Sequence, residues 1–577
     1  MKSKVIFSLV FVLCSCSILI AQNFDWANQI GGSGSEYANS VKVDPNGNVY
    51  TVGNFSGVVD FDPSPASYTI SSLGFSDVFL TKYDSLGNLL WVKIIAGIND
   101  EGARSVFLDA ANNIYITGSY QTGTDFNPGP GTFSLSSGSG ANAYVLKLDN
   151  SGNFIWVSSL GSSLTTVGIG LSVDLSGNVF VAGSFTGTNS DFDPGPSTYT
   201  LSSTGAQDVF VCKLNLTGNL VWAEKIGGSS ADSPNFLNID ASANILITGY
   251  FKSTIFDLDP GIGTTTVSAS GGLDDVFVLK LNNNGSFLWG KQIGGSSYDD
   301  GMSIVSDVSG NVYILGNFYD TADMDPGPAT FTMTPGASGF ADIFITKLDI
   351  NGNFIWAKQF GGVNGESGFE MALDSFGNIY FTGNFNGPSD FDPGTGVFTL
   401  NSIGSLGNYD IFTVKIDNSG NFLWAKSMGG PNTETGMAIA VSSTGYSVLT
   451  AGNFFGPNVD FDPGPLTYTL NAIGNTDAFV CRLSGLSTGI SEFSNSKLFD
   501  LIYPNPTSGK IYFKSELGNN IKSITVTNSL GQIVMSKDLN ENSKEKNEMD
   551  LSFLPMGIYL LNINGIKSSD SFKLIIN

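Results

Sequence analysis

The chain contains no histidine among its 577 residues, which removes the commonest general base and transition-metal ligand. Charged residues make up only 13% of it, and basic ones are the scarcer kind. Residues 22–491 hold 42 Asp and Glu against 15 Lys and Arg, a net of −27. Such a body excludes nucleic acid as a partner, because phosphate binding needs Lys and Arg. Residues 499–577 carry 8 acids and 8 bases and are neutral. Beyond residue 21 no apolar run is long enough to span a membrane as a helix. Of the four cysteines, Cys14 and Cys16 lie near the N-terminus, leaving Cys212 and Cys481.

Glycine and phenylalanine are abundant instead, at 71 and 43 residues. The seven tryptophans are Trp26, Trp91, Trp156, Trp222, Trp289, Trp356 and Trp424, spaced by 65, 65, 66, 67, 67 and 68 residues. A fixed period of this size marks one unit copied seven times. In the first complete copy, runs 40–44, 49–55, 77–83 and 89–93 alternate like strands, separated by Asn-Gly turns and by an arm over 60–70. Four antiparallel strands in seven copies predict an all-β, seven-bladed β-propeller. The chain starts with a lone fourth strand around Trp26 and the last copy stops after its third, so the N-terminal strand is expected to close the ring. Cys212 and Cys481 occupy the same position in distant copies and are expected to stay unpaired.

The runs Gly-Gly-Ser, Val-Asp-x-x-Gly-Asn-Val-Tyr, Gly-Asn-Phe and Gly-Asn-Phe-x-Trp resemble the SBBP β-propeller repeat over about residues 22–483. The period ends near residue 487; residues 488–498 read as a linker, and 499–577 as a separate domain of short strands suited to a small Ig-like β-sandwich. That tail opens with Tyr503, Pro504, Asn505 and Pro506, continues through Gly557, Ile558 and Tyr559, and ends around Lys573. It resembles the C-terminal sorting domain, type A, of the type IX secretion system. The resemblance implies handling by that machinery and a secreted or outer-membrane-surface location in a Gram-negative bacterium. Residues 1–21 read as a signal peptide, with Lys2 and Lys4 before an apolar run and cleavage between Ala21 and Gln22. Lipid attachment at Cys16 is the rival reading.

Every copy carries Asp-x-(Asp/Asn)-Pro in its arm: Asp60/Asp62, Asp125/Asn127, Asp191/Asp193, Asp257/Asp259, Asp323/Asp325, Asp390/Asp392 and Asp460/Asp462. Two readings stand. Paired carboxylates could supply part of a calcium shell, or the aspartates make tight turns by accepting nearby backbone N–H bonds. Glu36, Glu101, Asp232, Asp299, Asp300, Glu366 and Glu434 are expected on the same face, which would then be a ring of carboxylates. A base on each third strand, Lys82 to Arg482, is expected to pair with the arm aspartates. The tryptophans, flanked by apolar residues, are expected to pack between blades rather than stack sugars.

Catalysis needs unique convergent groups, whereas a repeat supplies identical ones. The departures Glu224, Asp320 and Glu370 fall in different copies, and no nucleophile elbow, phosphate loop or zinc motif is present. The sequence therefore points to a non-enzymatic binding or adhesion protein that grips a glycan or a protein through an acidic face. It would need no cofactor apart from calcium at the arms. A structural surface-layer component is the alternative, and a secreted glycoside-active enzyme the remaining one.

Overall fold

A computed structural model describes residues 22–485, apart from 139, 162, 163, 338 and 406. In the C-terminal region it describes residues 501–503, 510–514, 521–528, 533–538, 548–555, 557–565 and 569–576. The chain divides into two compact units, with the boundary after Gly485. The signal-peptide, linker and Pro504–Pro506 readings lie outside the described residues.

The first unit is a seven-bladed β-propeller. Blade one orders Glu36–Val43, Val49–Phe55, Asp77–Tyr83 and Leu89–Ile95 from the inside outward. In blade seven, Glu434–Val441, Ser447–Phe454 and Asp477–Gly485 are joined by the N-terminal strand Gln22–Gly32 as outermost member. That last pairing runs from Gln22 opposite Gly485 to Ile30 opposite Ala478.

Short local signals build each blade. Asp44 Oδ1 accepts the N–H groups of Asn46 and Asn48, both at 2.9 Å, while Gly47 takes a φ of 81°. This Asx-type turn reverses the chain between the first two strands, and the positive φ explains the glycine. Strand residues facing neighbouring blades are apolar and fully buried, as with Val52, Phe79 and Leu80.

The arm motif has a packing role visible only in three dimensions. Its middle residue is Phe61, Phe126, Phe192, Leu258, Met324, Phe391 or Phe461, each fully buried. Phe61 packs against Phe55 and Phe79 with ring centroids 5.4 and 5.5 Å away. Burying such a side chain contributes roughly 1.5–3 kcal/mol. The arm is therefore pinned by an apolar plug between two aspartates.

The arm also leaves its own blade. Asp60 and Val59 pair with Gly31 and Gly32 at the end of the preceding blade's outermost strand. The same contact recurs as Gly227 with Asp257, Gly294 with Asp323, and Gly361 with Asp390. Each arm thus staples its blade to the one before it.

The second unit contains two antiparallel sheets. One orders Leu501–Tyr503, Lys510–Lys514 and Glu548–Asp550; the other orders Ile533–Asp538, Ile521–Asn528, Gly557–Gly565 and Ser569–Ile576. Within the second sheet Gly557, Ile558 and Tyr559 lie opposite Ile576, Ile575 and Leu574, and Lys573 lies opposite Leu560. The Tyr559 hydroxyl donates to the Pro555 carbonyl at 2.9 Å.

Candidate functional site

The arm aspartates are bound up with their own loops. Asp60 Oδ1 accepts N–H from Asp62 at 3.1 Å and from Tyr68 at 2.8 Å, and Asp62 Oδ1 accepts from Ser64 at 2.9 Å. Asp390 repeats this with Asp392 and Phe398, at 3.0 and 2.8 Å. Asp125, Asp191, Asp257, Asp323 and Asp460 do the same. Among the described residues no three His, Cys, Asp or Glu side chains converge as a metal site. Asp193, Asp259, Asp325 and Asp462 each cap the glycine two residues on. The geometry is that of nested Asx turns.

The lysines expected to pair with these aspartates point elsewhere. Lys82 Nζ lies 4.8 Å from the Tyr50 ring centroid, and Lys147, Lys347 and Lys415 lie similarly over Tyr115, Tyr313 and Tyr380. Lys280 pairs at 2.9 Å with the turn residue Asp240. A third-strand side chain reaches the second strand of its own blade more readily than a distant arm, so cation–π contact wins.

The tryptophans pack under the next blade. Trp156 Nε1 donates to the Leu216 carbonyl at 3.2 Å, and Trp222 and Trp289 bond Asn283 and Ile350 likewise. Gly218, Gly285 and Gly352 hold positive φ in those turns, where a Cβ would meet the tryptophan ring.

The second acidic set is not a surface ring. Glu36, Glu101, Asp232, Asp299, Glu366 and Glu434 are at most 2% exposed; only Asp300 of that set is partly exposed. Each begins an innermost strand or, for Glu101, immediately precedes it, and its backbone N–H bonds the carbonyl just before the third strand of the preceding blade. Glu36 bonds Thr476, Glu101 bonds Ser76, and Glu366 bonds Ala341, at 2.8, 2.9 and 2.9 Å. The third strands begin with Asp77, Asp208, Asp275, Asp342, Asp410 and Asp477, themselves buried. Six inter-blade junctions therefore bury two carboxyl groups side by side. Burial, then Asp477, pushes Glu36 up to about 8, and burial foremost raises Glu366 to about 8 and Glu434 to about 9.

What the sequence reading missed is the central channel. All seven innermost strands contain a β-bulge, between Ala38/Ser40, Ala103/Ser105, Gly168/Gly170, Pro234/Phe236, Gly301/Ser303, Gly368/Glu370 and Gly436/Ala438. A bulge re-aims one side chain. The skipped residues are Asn39, Arg104, Ile169, Asn235, Met302, Phe369 and Met437, and all seven line a cavity of about 820 Å³. The position before the bulge is Ala, Gly or Pro in every copy, whereas the bulge residue and the one after it each take five different identities among the seven blades. Comparing the seven copies column by column would have exposed it. Of the earlier departures, Glu370 lines this channel and pairs with Lys42 at 3.2 Å. Glu224 sits on an outermost strand of blade three and Asp320 on an exposed turn of blade five. The three do not converge.

Comparison with known proteins agrees with this architecture. The family model described as a secretion system C-terminal sorting domain matches residues 501–577. The model described as a beta-propeller repeat, SBBP, matches residues 25–54. The chain thus has an SBBP repeat match at residues 25–54, within the propeller, and a sorting-domain match at its C-terminus, which indicates secretion or cell-surface attachment. It is similar, at 25% identity, to an uncharacterized WD repeat-containing protein, L264, of Acanthamoeba polyphaga mimivirus, over 76% of this chain and 36% of that protein. It is 23% identical to the regulatory protein FlaEY of Caulobacter vibrioides, over 76% of this chain and 45% of that one. The chain spans less than half the length of these relatives. Among solved structures, the Neurospora crassa Pan2 WD40 domain matches at a TM-score of 0.37 and 10% identity, covering 78% of this chain and 89% of its own. The RRP9 WD40 repeats match at 0.40 and 8%, covering 80% and 100%.

Proposed function

We propose that this is a non-enzymatic binding propeller, delivered by the type IX machinery to the outer-membrane surface or the medium, whose ligand enters the central channel. One observation carries the reading. Seven copies of a structural unit keep their turns, plugs and staples, yet the residue aimed into the channel is asparagine, arginine, isoleucine, methionine or phenylalanine according to the blade. Individualised side chains in a preformed cavity are what recognition of one ligand requires. The wall is divided: Asn39 and Arg104 stand in blades one and two, and Met302, Phe369 and Met437 in blades five to seven, where Glu370 is the exception and is paired with Lys42. A glycan or a protein segment with one polar and one apolar side fits such a wall.

The test is binding of purified envelope polysaccharides and surface proteins to the full chain and to an Arg104→Ala, Phe369→Ala variant. At least a tenfold loss of affinity with unchanged thermal unfolding supports the channel. Equal binding by both proteins overturns it.

A second surface is favoured by a separate observation. Six arms present an aromatic ring beside the motif aspartates: Tyr68, Phe133, Tyr199, Phe331, Phe398 and Tyr468, each 39–51% exposed. Half-exposed rings next to carboxylates suit sugar stacking. Binding lost on Phe398→Ala and Tyr468→Ala, but kept in the channel variant, would move the ligand to that acidic face. A monodisperse monomer in size exclusion would count against the surface-layer alternative.

A further inference from the structure

We propose that six inter-blade junctions of the propeller are proton-binding sites, in each of which one proton is shared by two buried carboxyl groups. The pairs are Asp77 with Glu101, Asp208 with Asp232, Asp275 with Asp299, Asp342 with Glu366, Asp410 with Glu434, and Asp477 with Glu36. All twelve residues are at most 2% exposed.

Three observations converge on this. First, every pair contains at least one buried carboxyl oxygen with no hydrogen-bond partner: Glu36 Oε1, Glu101 Oε2, Asp208 Oδ1 and Asp342 Oδ1, and one on each partner in Asp275/Asp299 and Asp410/Glu434. A buried oxygen left unbonded is costly, and a proton on one carboxyl of a pair removes one of two neighbouring buried charges; in Asp77/Glu101 the two carboxyls are hydrogen-bonded to each other. Second, the remaining junction shows what replaces such a pair. There the equivalent residues are Asn142 and Thr166, joined by the same backbone bond from Thr166 N–H to the Ala141 carbonyl at 2.8 Å. Both acids are replaced together there by neutral groups. Third, the groups around the carboxyls are donors. Gly32 N–H bonds Glu36 Oε2 at 3.1 Å, and Ile473 and Gly474 N–H bond Asp477 at 3.0 and 3.3 Å. These donors supply no oxygens to a cation; they favour the ionised carboxyl and so oppose the proton, but burial outweighs them. The space is also filled: a Cβ on Gly361 would lie 2.5 Å from Asp342 Cγ.

The other titratable groups facing these pairs are few. Lys225 lies 3.4 Å from Asp208, Tyr144 faces Glu101, and Tyr250 faces Asp232. Asp300 faces Asp299, and Asp274 faces Asp275. At the Asp208 junction Lys225 supplies positive charge.

The sign of the linkage follows. Burial raises Glu101 and Asp410 in the folded chain to about 7, and Glu36, Asp299 and Glu366 to about 8. Their stability is complete below the unfolded carboxyl value near 4 and is lost as pH climbs through the folded values. In that window each fully linked site weakens folding by up to about tenfold per pH unit. Turn aspartates such as Asp174 and Asp307 are lowered and act with the opposite sign, but below the ordinary carboxylate range. The pair Asp477/Glu36 lies between blades seven and one, so rising pH loosens the closure itself.

The experiment is thermal unfolding of the full chain from pH 5 to 9 in chelator and then in calcium, with Glu434→Gln alongside. The expected result is a midpoint that falls steadily from pH 5 to 9, a shallower fall in Glu434→Gln, and a protonated-carboxyl infrared band at neutral pH. The infrared band needs no variant to fold. A midpoint that is level or rises with pH overturns the proposal, as does absence of the band. A wild-type midpoint restored at pH 9 by calcium overturns it in favour of a cation at the pair.

Discussion

Lys42 Nζ lies 3.2 Å from Glu370 Oε1, although the two residues belong to blades one and six. The bond lies beside the innermost strand of blade seven, whose Ala440 lines the same channel. Glu370 Oε2 meanwhile accepts the Ile439 N–H of that strand at 3.0 Å. One carboxylate therefore ties together three consecutive blades, including the last and the first.

Removing it has a definite consequence. Glu370→Ala leaves an ammonium and a buried N–H unpaired, and should cost about 1–3 kcal/mol. Chemical denaturation reads the loss. A double-mutant cycle with Lys42→Met isolates the ion pair, whose coupling should be weaker than the total because Lys42 remains 29% exposed.

The glycines at the ends of the outermost strands give a second prediction. A Cβ on Gly361 would lie 2.5 Å from Asp342 Cγ and 2.7 Å from both carboxyl oxygens. Gly361→Ala should therefore destabilise by roughly 1–3 kcal/mol through overpacking. Gly102→Ala meets only Ser119 Oγ at 3.4 Å and should be nearly neutral. If the clash is the cause, adding Asp342→Ala to Gly361→Ala recovers part of the loss.

These contacts show where sequence reasoning stops. The seven-bladed plan was legible because the tryptophans recur at a constant interval, and Trp156 occupies the inter-blade seat its apolar neighbours implied. The arm motif was legible as either turn chemistry or part of a calcium shell, but Phe61 between Asp60 and Asp62 looked like an arbitrary spacer until it appeared as a buried plug. Glu36 and Asp477 stand at opposite ends of the repeat region, so nothing in their spacing placed them together. The bulge at Asn39 was hidden because a bulge leaves alternation intact on either side of it.

The arm aspartates allow calcium and turn chemistry to be separated. Asp390→Ala removes the acceptor for the Asp392 and Phe398 amides, at a cost of about 1–2 kcal/mol. Hydrogen exchange at the Phe398 amide should quicken. If the motif is turn chemistry, the loss is the same in millimolar calcium and in chelator. A loss confined to calcium-containing buffer would make the arms metal sites.

The two cysteines report how the ring opens. Cys212 and Cys481 are unpaired and buried, and burial pushes both thiols up, so neither should react with a thiol reagent while the blades are closed. Their settings differ. Cys212 lies inside the chain-continuous sheet of blade three, opposite Val181 and Ala223. Cys481 lies opposite Ala27 on the N-terminal strand, which is held to its blade by hydrogen bonds and packing without a hairpin turn. Local opening of that strand requires less free energy than global unfolding. In mild denaturant Cys481 should therefore be labelled faster than Cys212, and the difference should grow from pH 6 to 9 as the Asp477/Glu36 junction loses its proton. Equal labelling rates at every pH would mean that the propeller opens only as a whole, with its closure no weaker than any other blade.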